Sequence, residues 1–398
     1  MVFGTIYYAL VLLFAGLTYA SVEGKLPKVP QLQRLTIIGF SLISEWPLPV
    51  IFLKIVLIII ASAVGVFRGI IPQIFYIIDL LTMVGLVVIF IDAYEARRNI
   101  EIAIQSYSDY QEFQELPTFT SETFWQRMVN PRFIPENVTH YADINYVNNQ
   151  ESLEAKKDGF EQMNFLTLDV YARKSTTLKP VLLFIPGGGW IGKGAVYPLI
   201  RHLAERGWVV VSAKTRPKYP TRLFDAKRAL RWVKTNIKFF GGDPDFVTVG
   251  GDGVVGQTAA TVALTPNVPE FQPGFEDVDT SVKACLLINA VTDLSEKHSG
   301  SSSTDETFLK KHSPIHLLRE DVVPFLVFHG DRDDFIPIES SNRFVEEYKK
   351  KSKSEIQFIT ISGGHHIYHH FSSPRSHYQA IGAEIWLNHI YHEEKKHD

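Results

Sequence analysis

The chain has 398 residues, with 40 lysines and arginines against 43 aspartates and glutamates and a net charge of -3. That length suits one large domain plus a further module, and the charge balance leaves no electrostatic footprint for nucleic acid, so no nucleic-acid partner is expected. The single cysteine, Cys285, excludes intrachain disulfides and a cysteine-built metal cluster.

The first hundred residues hold an excess of apolar side chains. Val2 to Ala20 is almost uncharged, Pro47 to Phe67 is broken only by Lys54, and Ile74 to Ile91 only by Asp79. Each run approaches the ~20 residues that cross a bilayer as a helix. LTIIGFSLISEW, residues 35–46, is apolar but short and is stopped by Pro47 and Pro49, so it reads as a re-entrant or interfacial piece, or as half of a broken span. MVFG lacks the basic residues that open a signal peptide, which favours an anchor over a cleaved leader. Lys54 and Asp79 are expected near span ends or snorkelling to the interface. Residues 1–95 are therefore expected to be a transmembrane helical region of about three spans, with the lipid bilayer as partner.

Basic residues set the expected orientation. With three spans, Lys25, Lys28 and Arg34 fall on the side of Arg97 and Arg98, and only Arg68 lies opposite, which places the large domain in the cytosol. The KKHD ending resembles the dilysine signal that returns membrane proteins to the endoplasmic reticulum, and it points to the same side. The sequon Asn137-Val138-Thr139 argues the other way if it is used.

Residues 96–140 read as a linker with amphipathic segments, and 141–392 as the large domain before a charged tail, 393–398. FLTLDVYA and PVLLFIPGGGW are strand-like, the latter ending in glycines. YPLIRHLAERG reads as a helix stopped by Gly207, and WVVVSAK as a strand buried on both faces. DAKRALRWVKTNIKFFGG is an amphipathic helix with Ala226, Leu230, Val233 and Ile237 on one side. VTVGGDGVVGQTAA reads as a strand, a glycine-rich turn and a helix start. The strands ACLLINAV, PFLVFHG and IQFITISG follow, and Cys285 in the first of them reads as packing rather than chemistry. SGSSSTDE, residues 299–306, reads as a flexible polar insertion. Alternating strands and helices imply a mostly parallel central sheet flanked by helices.

IPGGGW, DAKRALRWVKTNIKFFGGDPDFV, ALTPNVPEFQPGFEDVDTSVKAC, PFLVFHGDRDDFIP and FSSPRS together resemble the α/β-hydrolases of the hormone-sensitive-lipase and carboxylesterase type. The likeness is greatest to a branch with a hydrophobic N-terminal region, and it covers roughly residues 141–390. It implies the α/β-hydrolase fold, preceded here by an all-helical transmembrane region. It also implies ester hydrolysis by a serine, an acid and a histidine in that order, with backbone N–H groups for the oxyanion.

Set against that pattern, Asp333 occupies the acid position and His366 the histidine position, with His365 as the neighbouring alternative. The oxyanion donors would come from Gly187, Gly188, Gly189 and Val254. Pro186 stands where the family has histidine, and it cannot anchor the loop by a side-chain hydrogen bond. The serine position is Gly253, fixed by both flanks. Val255 takes a position that is normally glycine, which implies that the strained nucleophile turn has relaxed.

Asp252 is the alternative nucleophile, on the precedent of α/β-hydrolases with an aspartate at the elbow; a water activated by the Asp333–His366 dyad is another. His365, His366, His369 and His370 form a histidine-rich stretch without an acidic or cysteine ligand nearby in sequence, so surface histidines are expected and neither metal nor other cofactor. Three functions follow from these residues. The first is a pseudoenzyme that binds a lipid, an acyl ester or a protein partner. The second is a hydrolase with a substitute nucleophile. The third is a membrane protein whose N-terminal helices carry the function.

Overall fold

A computed structural model describes residues 2–25, 33–109, 126, 130, 132–157, 166–187, 196–296 and 303–397. The chain opens with four apolar helices: α1 (Val2–Glu23), α2 (Gln33–Glu45), α3 (Pro47–Ala63) and α4 (Ile70–Ile104). Two of them, over Phe3–Glu23 and Ile70–Ile104, are long and apolar enough to cross a membrane. The segments Gly39–Glu45 and Pro47–Ala63 meet at a bend of 102° and together form a broken span or a re-entrant loop. Pro47 at the first turn of α3 explains the break, because proline disfavours helix in the residue before it.

The two intrahelical charges do not sit at span ends. Lys54 and Asp79 are buried against each other as an ion pair, and Tyr7 Oη donates to the second Asp79 oxygen at 2.7 Å. The ring of Phe14 lies 5.0 Å from the ammonium. The expectation of snorkelling is corrected accordingly: α1, α3 and α4 pack closely enough to enclose both charges, and neither would tolerate that burial alone.

The large domain has an eight-stranded sheet in the order β1-β2-β4-β3-β5-β6-β7-β8. Its strands are β1 (Thr139–Asn145), β2 (Thr167–Ala172), β3 (Lys179–Ile185), β4 (Val209–Ala213), β5 (Gly242–Asp252), β6 (Cys285–Ile288), β7 (Phe325–Gly330) and β8 (Ile356–Ile361). β1 and β2 are antiparallel to their neighbours, and the ladder from β4 to β8 is parallel. Among the described residues the domain's α-helices are α5 (Asn149–Lys157), α6 (Pro198–Glu205), α7 (Thr221–Asn236), α8 (Gly253–Leu264), α9 (Glu306–His312), α10 (Ile338–Lys351) and α11 (Pro374–His397). Apolar side chains on alternate sheet faces build two cores. One packs Val181, Leu183, Val249 and Leu287 against α7 and α8, and the other packs Leu182, Phe184, Leu286 and Phe328 against α6 and α11. Cys285 lies within β6 and is fully buried.

Three sequence expectations shift. Residues 96–104 are no linker, because α4 runs on without a break and buries Ala96, Ile100 and Ile104 in the second core. The polar segment at 299–306 already contains the start of α9, capped by Asp305 accepting from the Thr307 N–H, while 297–302 lie outside the described residues. The charged tail belongs to α11 as far as His397. Breaking the Lys54–Asp79 pair from one side should be costly. Lys54→Met is expected to lower stability by about 3–5 kcal/mol, and Lys54→Met with Asp79→Leu to recover most of it. Thermal unfolding in detergent reads both.

Candidate active site

The carboxyl ends of β3, β5, β6, β7 and β8 converge, and the chemistry-bearing residues lie just beyond them, as expected of an open parallel sheet. Asp333 follows β7. Its Oδ1 accepts from the Phe335 and Ile336 N–H groups at 2.9 Å each, and its Oδ2 lies 2.8 Å from His366 Nδ1. His366 follows β8. Burial pulls its imidazole down, but Asp333 beside it, and then Asp252 and Asp334, outweigh this and hold it above its ordinary value. For Asp333, burial raises the carboxyl, while His366 and the backbone donor Ile336 bring it below the carboxylate range.

Gly253 is the first residue of α8 and has φ +57°. A Cβ built there would stand 3.3 Å from His366 Nε2 and 3.4 Å from Cε1. The dyad therefore faces the space that a side chain at 253 would fill. The expected relaxation of the turn is corrected: left-handed backbone survives at Gly253, and the close approach of helix to strand is met by Gly251 and Gly256 instead. A Cβ on Gly251 would lie 3.3 Å from the Gly256 Cα, whereas Val255 turns into the first core.

Asp252 is the last residue of β5 and is buried. Its Oδ1 accepts from the Gly187 N–H at 2.6 Å, and its Oδ2 lies 3.1 Å from Nε2 of both His369 and His370. Burial alone would raise this carboxyl, but the two imidazoles reverse that and hold it far below the usual range. Such a carboxylate is ionised, yet its oxygens are committed to donors. Gly187 is in turn committed to Asp252, which corrects its assignment as an oxyanion donor. Gly188 and Gly189 lie outside the described residues. Val254 stands in the first turn of α8, where backbone N–H groups lack intrahelical acceptors.

The histidine stretch is not on the surface. His365, His369 and His370 are all buried, and the acid absent from their sequence neighbourhood arrives from β5. His365 packs edge-on against Phe40 of α2, with Nε2 3.4 Å from a Glu45 oxygen, and burial drives its ring down to about 3. His369 is likewise lowered to about 4, chiefly by burial.

One positioning residue escaped the sequence reading. Asn289, after β6, has φ +48°, donates through Nδ2 to the His366 carbonyl at 2.7 Å and to the His365 carbonyl at 3.3 Å, and accepts from the Gly330 N–H at 2.9 Å. The available signal was a lone amide at the end of the apolar run ACLLINA. Gly330 explains why β7 and the histidine loop can meet at all: a Cβ there would lie 2.2 Å from the Gly364 carbonyl oxygen.

Residues 168–348 match the BD-FAE family model. Over 250 residues the chain is 33% identical to the probable carboxylic ester hydrolase LipM of Mycobacterium tuberculosis, covering 56% of this chain and 58% of that one. Esterase LipC of the same organism is 32% identical over 250 residues, covering 56% and 62%. A truncated carbohydrate esterase from gut microbiota superposes with a TM-score of 0.52 at 18% identity, covering 65% of this chain and 99% of that one, a likeness of fold. The large domain is an α/β-hydrolase. In sequence it is similar to esterases, and the chain spans 58% and 62% of the lengths of these two curated relatives.

The Asp333–His366 pair has a defined pH signature. His366, raised in the folded state, adds stability below its ordinary value of 6.5 that is lost as pH rises through its raised value. Asp333, lowered, adds stability above 3.8 that is lost as pH falls through its lowered value. Asp333→Asn leaves burial as the leading influence on the ring. The His366 titration followed by NMR should then move from above 6.5 to below it.

Proposed function

We propose that the protein is a membrane-anchored, esterase-like pseudoenzyme that binds a lipid or acyl ester at the former nucleophile space without forming an acyl-enzyme. The observation that carries this reading is the position of His366 Nε2, 3.3 Å from where a Gly253 Cβ would lie. The base, the acid and the turn for a nucleophile are in place, and the atom that would attack is missing. Acyl transfer needs that oxygen, and the remaining groups can orient a carbonyl but cannot bond to it. Esterase activity named for LipM and LipC is thus not carried over.

Packing of the apolar helices favours a bilayer lipid over a soluble ester or a protein partner. Trp46 Nε1 donates to the Ser372 carbonyl at 2.9 Å, Phe40 covers His365, and Arg375 donates to the carbonyls of Ser44 and Ile89. The bent α2–α3 segment therefore lies against the histidine loop, so a lipid held near the bend is near the site. In this reading the helices anchor the chain in the endoplasmic reticulum with the large domain on the cytosolic side.

A substitute nucleophile has less support. Asp252 is fully engaged by Gly187, His369 and His370, which leaves no free oxygen to attack a carbonyl. A water in the Gly253 space is better placed, since His366 Nε2 points there. It would give slow turnover that His366→Gln abolishes.

A fluorophosphonate probe separates these readings. Wild-type protein in detergent is expected to show no covalent labelling. Gly253→Ser should become labelled, because the new Cβ lies within reach of His366 after the ring withdraws a few tenths of an ångström. Stoichiometric labelling of the wild type would overturn the proposal.

A further inference from the structure

We propose that Asp252, His369 and His370 form a binding site for a divalent transition-metal ion of the zinc class. One ligand atom from each of the three residues lies within 4.8 Å of the other two, and both histidine Nε2 atoms are 3.1 Å from Asp252 Oδ2. Ligand atoms around a tetrahedral ion at ~2.0–2.1 Å stand roughly 3.3 Å apart, so the oxygen already stands near ligand spacing from each nitrogen.

Three further observations support a site. First, His369 and His370 are consecutive residues in a short helical turn, where neighbouring side chains normally diverge. Here both rings turn Nε2 to one carboxylate oxygen, with ring centroids 4.4 Å apart and planes at 83°. Second, the other oxygen, Oδ1, is held by the Gly187 N–H at 2.6 Å. That leaves Oδ2 as a single-oxygen ligand whose orientation is fixed by a backbone donor, the support that metal-binding carboxylates commonly have. Third, all three side chains are buried, and each ring makes its polar contact through Nε2 on the Asp252 side.

Two imidazole nitrogens and one carboxylate oxygen suit zinc, cobalt or nickel rather than calcium or magnesium, which take oxygen-rich shells. Three protein ligands leave a position for water or for a ligand oxygen. Asp252 immediately precedes Gly253, so that position belongs to the same small region as the space facing His366. The site stands independently of the pseudoenzyme reading, which concerns only covalent chemistry at residue 253.

The test uses the full chain in detergent, without a histidine tag, loaded separately with Zn²⁺ and Co²⁺ and then desalted. Elemental analysis is expected to give about one ion per folded chain, and Co²⁺ protein to show the visible bands of a low-coordinate nitrogen–oxygen site. His369→Gln and His370→Gln should each lose at least ten-fold in affinity, whereas His366→Gln should keep the ion. Circular dichroism confirms that each variant is folded. Absence of stoichiometric uptake by the wild type overturns the proposal whether or not the variants fold. Uptake that survives in both histidine variants also overturns it, since the ion is then held elsewhere.

Discussion

A buried carboxylate must be given donors or a cation, and the site is built around meeting that demand at Asp252. Its two oxygens draw together three segments far apart in sequence: the turn after β3 through Gly187, the end of β5, and the histidine loop through His369 and His370. Leaving such a charge unpaired would cost several kcal/mol. The network therefore fixes the elbow and the glycine loop relative to each other. With Pro186 unable to anchor the loop by a side-chain hydrogen bond, the carboxylate from the neighbouring strand holds it through Gly187.

A second buried charge ties the apolar helices to this site. Glu45, at the end of α2, accepts from Ser373 Oγ at 2.6 Å and lies 3.3 Å from an Arg375 nitrogen. Arg375 reaches on to the Ser44, Ile89 and Ser362 carbonyls, and Arg332, one residue before Asp333, pairs with Asp92 of α4 at 2.7 Å. With α4 continuous from the apolar region into the second core, the helices and the sheet share their interior. An N-terminal region tethered by a loose linker would need none of these contacts. Their presence makes the helices part of the wall of the site.

Much of this was legible in the sequence because it rests on local rules. Continuous β-branched runs gave the buried strands, Gly207 gave the end of α6, and the long family motifs pointed to Asp333, His366 and Gly253, although the glycine stop expected for α7 falls after a short turn that follows its end at Asn236. Contacts between distant segments were not legible. Nothing near GGHHIYHH indicates that its acid comes from β5, 117 residues away in the case of His369, so the histidines read as surface groups. The Lys54–Asp79 pair failed for the same reason: burial of a charge depends on how helices pack, which composition does not reveal. Val255 misled in another way. The close approach it was expected to block falls on Gly251 and Gly256 instead, while Val255 turns into the core.

Persistence of an acid and a histidine invites the inference that catalysis persists, but the geometry supplies another reason to keep them. Asp333 satisfies two backbone N–H groups at the turn after β7, and His366 satisfies the Oδ2 that remains. Removing either would strand a buried polar group, at a cost of about 1–3 kcal/mol or more for a charge. The nucleophile is in the opposite position. A serine at φ +57° carries backbone strain of order 1–3 kcal/mol that a glycine does not. On stability alone, glycine is favoured over serine at 253, while Asp333 and His366 are both favoured. The combination of Gly253, Asp333 and His366 thus needs no catalytic explanation, and the φ at Gly253 records the turn that a nucleophile would require.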